Sequence, residues 1–503
     1  MPEKISKTKA DKELKSIRIE LELLVDKMHE ALTNQQKLIK LIHPDQKISA
    51  RNLIRYLALR SEDVRSLQDR LHTYGLSSLA SSESHILRQV QAILERLNKK
   101  FLQSEISACD YTTGQRLMRK KSAKLFGAKK VKAIPHLMVT FDAEFSEDYQ
   151  LIKNLLENGM NVARINCAHD NKEIWENMIR LVRKATKESG LPCKIYMDLA
   201  GPKMRVAVLG KGHLLDKVDL REEQEIFLAE KNAHFNRSEI VLGCDEPNVI
   251  NQLIPGHRVL FDDGLIESKV LSVEKGIACI KIMRISGKKP VLKARKGINF
   301  PDTQLTLPAL TERDRSNIPF IAKHADLVGY SFVRDVECVK TLQHALSGYK
   351  KRPHIIIKIE TPEAVKNFPS LLIQGMHEEV FGVMIARGDL AVEIGFERLS
   401  EIQEEILWIS EAAHVPVIWA TQVLETLNKS GIATRAEVTD ASYAAMAECI
   451  MLNKGDYIME VMRSLRDILQ RSGSHHVKKR YTFRSMQIAM DFFDTINHEE
   501  KKT

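Results

Sequence analysis

Two rhythms of apolar and polar positions divide this chain. Up to about residue 105 the apolar residues recur near helical spacing between charged ones, as in Leu14, Ile17, Ile19, Leu21, Leu24, Met28 and Leu32. A second run of this kind covers Ala50 to Leu71 and a third Ser84 to Leu97, with Ser77-Ser78-Leu79-Ala80-Ser81-Ser82 breaking the two apart. Before Pro135, proline occurs only at Pro2 and Pro44, so little interrupts helices here. The pattern predicts a wholly helical N-terminal region.

From His136 the rhythm changes. Short apolar runs such as HLMVTF, NVARINC, KIYMDLAGP, HIIIKIE, EVFGVMIAR and VPVIWAT alternate with amphipathic stretches such as EIWENMIRLVRKATKESG. Continuous apolar runs suit strands buried on both faces. Eight such units predict an α/β fold, a (β/α)₈ barrel whose functional groups gather at the C-terminal strand ends. Residues 204–296 interrupt it with β-rich pieces such as RVLFDDGLIESKVLSV and GIACIKIMRI, read as a small β-domain inserted after the third strand. The expected layout is a helical region and basic linker over 1–132, a barrel over 133–203 and 297–470, the insertion over 204–296, and a basic tail over 471–503. A last helix is expected at Tyr457 to Gln470, and a final short one after the basic stretch His475 to Arg480.

Five of the strands end in polar residues, whose burial is costly unless they are used. Strand two ends Arg164-Ile165-Asn166, and strand three ends Asp198, with Gly201, Pro202, Lys203 and Arg205 close behind. Strand five ends Lys358-Ile359-Glu360, strand six Arg387-Gly388-Asp389, and strand seven Thr421-Gln422. Each alone has a plain explanation: a solvated strand end, a turn, or an Arg164–Asp198 ion pair. Their coincidence on one rim points to a site. Glu360 and Asp389 can give two carboxylates to magnesium, which keeps its other positions for water and substrate oxygens. Arg164, Arg205 and Lys358 supply the fixed positive charge that phosphoryl-transfer sites need. The residues by themselves indicate a magnesium-assisted reaction on an anionic substrate.

Composition narrows the class. Hydrophobic residues at 44% and charged ones at 28% of 503 residues describe a globular protein. No apolar run approaches the roughly 20 residues needed to cross a bilayer, so no membrane partner is expected. The start, MPEKISKTKADKELK, has no apolar signal core, and a cytoplasmic location is expected. Seven cysteines without a C-x-x-C pair argue for reduced thiols rather than a disulfide framework or a zinc site. A net charge of +10 suits anionic substrates. Its densest stretch, Arg116 to Lys132, reads as a solvated linker face rather than a nucleic-acid surface.

From Thr140 to about Leu452 the chain resembles the pyruvate kinase family, in the order of its segments and in its domain layout. GMNVARINCAHD, MDLAGPKMRV, FDDGLI, KGINFPD, YSFVR, KIETPEA, ARGDLAVEI, ATQVLETL and TRAEVTDA carry the resemblance. It implies phosphoryl transfer between phosphoenolpyruvate and ADP, giving pyruvate and ATP, as in glycolysis. Glu360 and Asp389 would then bind magnesium, Lys358 would lie against the transferring group, and Arg164 would contact phosphate. Thr421 would sit near the enolate carbon that takes a proton, while Ala386, Arg387 and Gly388 would offer backbone to the substrate carboxylate. Asn166, His169, Arg205 and Lys296 would line the nucleotide side, with Lys296 at the hinge of a lid formed by the inserted domain. Any homo-oligomer would be expected to form through the barrel.

The departures also carry expectations. The family usually has serine where Ala168 stands, lysine where Ala200 stands and, in potassium-dependent members, glutamate in place of Lys203. Asn166 and Asp198 remain from the potassium shell. With Ala168 lacking an oxygen and the Lys203 ammonium able to supply the charge, K⁺ is expected to be dispensable. After strand eight the family's M-L-S-G-E-T-A-K-G becomes MLNKGDY, so the serine and glutamate linked to proton delivery have no counterparts. The family's usual C-terminal regulatory domain also has no expected counterpart after about residue 470. Two other readings stand beside this one: a magnesium-dependent lyase acting through a pyruvate enolate, and a non-catalytic metabolite-binding regulator. Lys358 and the inserted domain weigh against the first, and retention of all five of Glu360, Asp389, Lys358, Arg164 and Thr421 against the second.

Overall fold

The apolar runs, lacking a polar face to turn to water, pair with one another in parallel and close into a ring. In the computed structural model, which describes residues 7–129, 134–210, 213–230, 239–246, 248–286, 291–305, 307–472, 476–477 and 480–481, eight strands form a closed barrel. They are β1 (His136–Phe141), β2 (Met160–Asn166), β3 (Lys194–Asp198), β4 (Leu327–Tyr330), β5 (His354–Ile359), β6 (Gly382–Ala386), β7 (Val417–Ala420) and β8 (Cys449–Leu452). Each pairs in parallel with its neighbours in chain order, and β8 closes on β1. Side chains alternate along a strand, so one set of every strand fills the barrel. Met138, Val162, Tyr196, Leu327, Ile356, Met384 and Ile418 make up this interior layer.

Between β3 and β4 the chain leaves the barrel for a second β-domain. Among the described residues its main sheet has eight strands, and the paired strands Ile266–Glu274 and Ile277–Ile285 form its longest hairpin. Ile226, Leu228, Val259, Phe261, Val270 and Ile280 form a core separate from that of the barrel. The two connecting segments run side by side: Arg205 bridges Gly297, and the Val206 N–H donates to the Lys296 carbonyl at 2.8 Å.

The N-terminal region is helical, with helices at Lys7–Asn34, Lys47–Arg60, Arg65–Thr73 and Ile86–Arg96. The expected second run breaks after Arg60, where Asp63 turns back to accept from the Arg65 backbone at 3.2 Å. The basic run differs from its reading as a solvated linker. Its first half belongs to a helix, Tyr111–Phe126, whose last two residues, Leu125 and Phe126, sit in the barrel's interior cluster and plug the N-terminal end. Lys121 on that helix is buried, its Nζ donating to Gln46 Oε1 at 2.5 Å and Ser49 Oγ at 2.9 Å. His414 Nδ1 lies 3.1 Å from the same hydroxyl, and Asn52 Nδ2 donates to the Ala412 carbonyl at 2.8 Å. Helical layer and barrel thus share one apolar core, pinned by polar contacts.

Among the described residues the last helix runs Ile458–Ser472. His476–Val477 pairs with Arg480–Tyr481, while the expected final short helix lies outside the described residues. Among the described residues no helix is long and apolar enough to cross a membrane.

Candidate active site

Two residues beyond each interior apolar position, the alternation brings another side chain inward, nearer the C-terminal rim. Met138 is followed by Thr140, Val162 by Arg164, Tyr196 by Asp198 and Ile356 by Lys358. These four meet. Arg164 donates to Asp198 Oδ2 through Nε at 3.1 Å and Nη2 at 2.6 Å, and to Thr140 Oγ1 through Nη1 at 3.1 Å. Tyr196 Oη donates to Asp198 Oδ1 at 3.1 Å. Gly329 on β4 makes room, because a Cβ there would stand 1.9 Å from Tyr196 Oη and 2.2 Å from Asp198 Oδ1.

Lys358 Nζ lies 2.8 Å from Glu360 Oε1, 3.3 Å from Asp198 Oδ2 and 2.7 Å from Ser331 Oγ. Glu360, only 1% exposed, also accepts from the Phe332 N–H at 2.7 Å through Oε2. Asp389, in the first turn of the helix after β6, accepts from Lys203 Nζ at 2.7 Å. Burial raises the Glu360 carboxyl above its ordinary range; Lys358 opposes this and the neighbouring Asp389 adds to it. Burial likewise works against charge on Asp198, Lys358 and Arg164. Mutual attraction outweighs it, holding the aspartate below its usual range and the two cations above theirs.

The rest of the site comes from the inserted β-domain and two loops. A cavity of about 290 Å³ is lined by Arg164, Asn166, Ala168, His169, Asp198, Lys203, Arg205, Lys296, Lys358, Glu360 and Asp389. Lys296 Nζ is 2.7 Å from Asp262, which lies on the same wall, and Arg205 Nη1 donates to the Arg295 carbonyl at 3.1 Å. Asn166 Oδ1 accepts from the Ala168 N–H at 3.0 Å, which shapes the turn that presents His169. Burial and the nearby Arg205 both lower the His169 pKa, favouring the neutral ring. Buried Asp314 accepts from the Ala200 and Gly201 N–H groups at 2.9 and 3.1 Å, setting the loop that carries Lys203.

Ala386, Arg387, Gly388 and Thr421 lie beside this cavity rather than lining it. The Arg387 side chain turns away, donating to the Ala420 carbonyl at 3.0 Å, the Thr421 carbonyl at 2.5 Å and Asp440, with its guanidinium 4.4 Å from the centre of the Trp419 ring. Thr421 is left-handed at φ 66°, which is strained for a β-branched residue, and Gln422 and Leu424 follow with φ 55° and 50°. The strain aims Thr421 Oγ1 at the Gly388 N–H, 2.9 Å away.

Glu360 and Asp389 have no third metal-ligating side chain beside them; among the described residues no cluster of three such groups occurs. Two hard carboxylates at a polar cavity fit magnesium, which fills its remaining positions with water and substrate oxygen. Sequence reasoning missed Ser331, Thr140 and Tyr196, which orient the charged groups. Ser331 was within reach, since it follows an apolar strand as Asp198 and Thr421 do. Asp440, which holds Arg387, lies on a different helix and left no such signal.

Residues 131–461 match the family model described as the pyruvate kinase barrel domain. The chain is 33% identical to the pyruvate kinase of Geobacillus stearothermophilus over 341 residues, which are 65% of this chain and 55% of that one. It is 32% identical to pyruvate kinase 1 of Trypanosoma brucei brucei over 333 residues, 64% of each. To pyruvate kinase PKLR of Homo sapiens it is 31% identical over 367 residues, 68% of this chain and 60% of the relative. The matches therefore span under two thirds of these relatives' own length.

Proposed function

Because this chain belongs to the pyruvate kinase family, we propose that it moves a phosphoryl group between phosphoenolpyruvate and ADP in the cytoplasm, a step of glycolysis. The observation that carries this reading is the meeting of Arg164, Lys358, Glu360, Asp389 and the lid residue Lys296 around one cavity. Glu360 and Asp389 would hold magnesium, which when bound neutralises phosphoryl oxygens and polarises them toward transfer. The neighbouring side chains pair off, Arg164 with Asp198, Lys358 with Glu360 and Lys203 with Asp389, so the cluster alone is formally neutral. A dication would leave it two positive charges in surplus, which favours a multiply charged anion such as a phosphorylated carboxylate.

In the reaction Arg164 grips the phosphate, held in direction by Asp198 and Thr140. Lys358 stands where charge gathers on the transferring group and is aimed by Ser331, so little reorganisation remains for the chemical step. Arg205, His169 and Lys296, at the junction with the β-domain, take the nucleotide side, and closure of that domain excludes water. Thr421 lies beside the cavity, and because its Oγ1 accepts from the Gly388 N–H its hydroxyl proton is left for the enolate side. Asp198 already serves Arg164, Lys358 and Tyr196, which supports a reaction without a potassium requirement, while the Lys203 ammonium rests on Asp389 rather than on Asn166 or Asp198. A lyase would not need a nucleotide-side wall of Arg205 and Lys296. The test is ATP formation from phosphoenolpyruvate and ADP, coupled to hexokinase and glucose-6-phosphate dehydrogenase, with and without magnesium. No ATP at any metal concentration, from folded protein, would overturn the reading.

A further inference from the structure

The helical layer holds a cavity of about 790 Å³ lined by residues of the helices Lys7–Asn34, Lys47–Arg60 and Ile86–Arg96 and by the segment 99–109. Its volume is in the range of small-molecule sites. Arg51 and Arg55, four residues apart and so on one helix face, line it together with His29 and Lys100. Leu94 and Phe101 give it an apolar floor. Among the described residues neither guanidinium enters an ion pair, and Arg55 Nε is buried without a hydrogen-bond partner. The acids at the rim are engaged elsewhere or face the histidine. Glu22 is held at 3.1 Å by both Arg18 and Lys99, Glu105 Oε2 accepts from the Leu102 N–H at 2.7 Å, and Asp26 acts on His29. Two adjacent guanidinium groups, one of them partly desolvated, are costly unless something anionic sits between them.

We propose that this cavity binds a small organic oxyanion, a phosphate ester or carboxylate, gripped by Arg51 and Arg55 and outside the catalytic cavity. An arginine pair presents parallel N–H groups that match both kinds of oxyanion, and the floor accepts a short carbon skeleton. The test is calorimetric titration of the full chain with glucose 6-phosphate and with succinate, each beside inorganic phosphate, comparing wild type with Arg55→Gln and Arg51→Gln. The expected result is a site in the wild type that weakens by about tenfold or more in each variant, as loss of a charge-assisted hydrogen bond implies. Whichever of the two ligands binds more tightly than inorganic phosphate identifies the oxyanion. Anions bound at the barrel site stay bound in both variants, which separates the two sites. Arg55→Gln should also raise the melting temperature of the ligand-free protein, since it removes a desolvated charge. Absence of any titration that differs between wild type and variants, with all three proteins folded, would overturn the proposal.

Discussion

Replacing Lys121 by methionine should flatten the way stability depends on pH. Burial is the largest influence on this lysine and pushes its pKa down to about 7, against an ordinary 10.5, with Asp45 opposing only in part. Between those values the unfolded chain holds a proton that the folded chain has lost, so stability rises with pH through that window and levels off below it. At about 1.4 kcal/mol per pH unit, the gain between pH 7 and 9 is about 2 kcal/mol. Methionine fills the same space without a titrating group, at the cost of the hydrogen bonds to Gln46 and Ser49, roughly 1 kcal/mol each at every pH. Urea unfolding at pH 7, 8 and 9 provides the assay. Trp408 reports on this interface because Arg60 of the helical layer stacks 4.9 Å from its ring centre. The midpoint difference between wild type and Lys121→Met should widen toward pH 9 in favour of the wild type. Parallel curves would show that Lys121 is not the desolvated, half-neutral group that the structure describes.

Lys358→Met should lower the rate of ATP formation by about 10²–10³-fold, the usual cost of losing a donor that acts on transition-state charge, while magnesium still binds. An unchanged turnover number in stopped or coupled assays would refute this role. Wild-type activity should be equal in sodium and potassium buffers, and Lys203→Glu, which removes the ammonium from Asp389, should create a requirement for potassium; a wild type silent in sodium buffer would contradict it. With no serine or glutamate in the loop Asn453 to Tyr457, enolate protonation should limit the rate. Pyruvate methyl protons should therefore exchange with D₂O slowly in the presence of magnesium and ATP, and fast exchange observed by NMR would show that another group delivers the proton.

The barrel was legible because parallel strands buried on both faces leave continuous apolar runs, and a polar residue at the end of such a run stands out. Arg164, Asp198, Lys358 and Glu360 were found in that way, and all four face one cavity. Pairings across the chain left no local trace. Lys203 meets Asp389 over a separation of 186 residues, and only the closed ring brings them together. Arg387 looked like a rim residue, yet its side chain is spent on Asp440 and the Ala420 carbonyl. Lys121 read as one solvated charge among many, because its partners Gln46 and Ser49 stand 75 and 72 residues away along the chain. The helices of the N-terminal region were visible from their stripes, whereas the face they give to the barrel was not.

That docking has a consequence for synthesis on the ribosome. Asn52 finds its partner at Ala412, 360 residues later, and Ser49 finds His414 only after β6 and the helix behind it exist. At roughly 5–20 residues per second, the helical layer waits on the order of 20–70 s for its counterpart to emerge. Throughout that interval Leu53 and Tyr56, buried in the finished protein, and the plug residues Leu125 and Phe126 have no barrel to enter. A nascent chain halted before residue 400 should therefore recruit hydrophobic-binding chaperones to its first 126 residues and release them once β7 is made. The order of the domains along the chain thus sets a period of vulnerability that is absent from the completed fold.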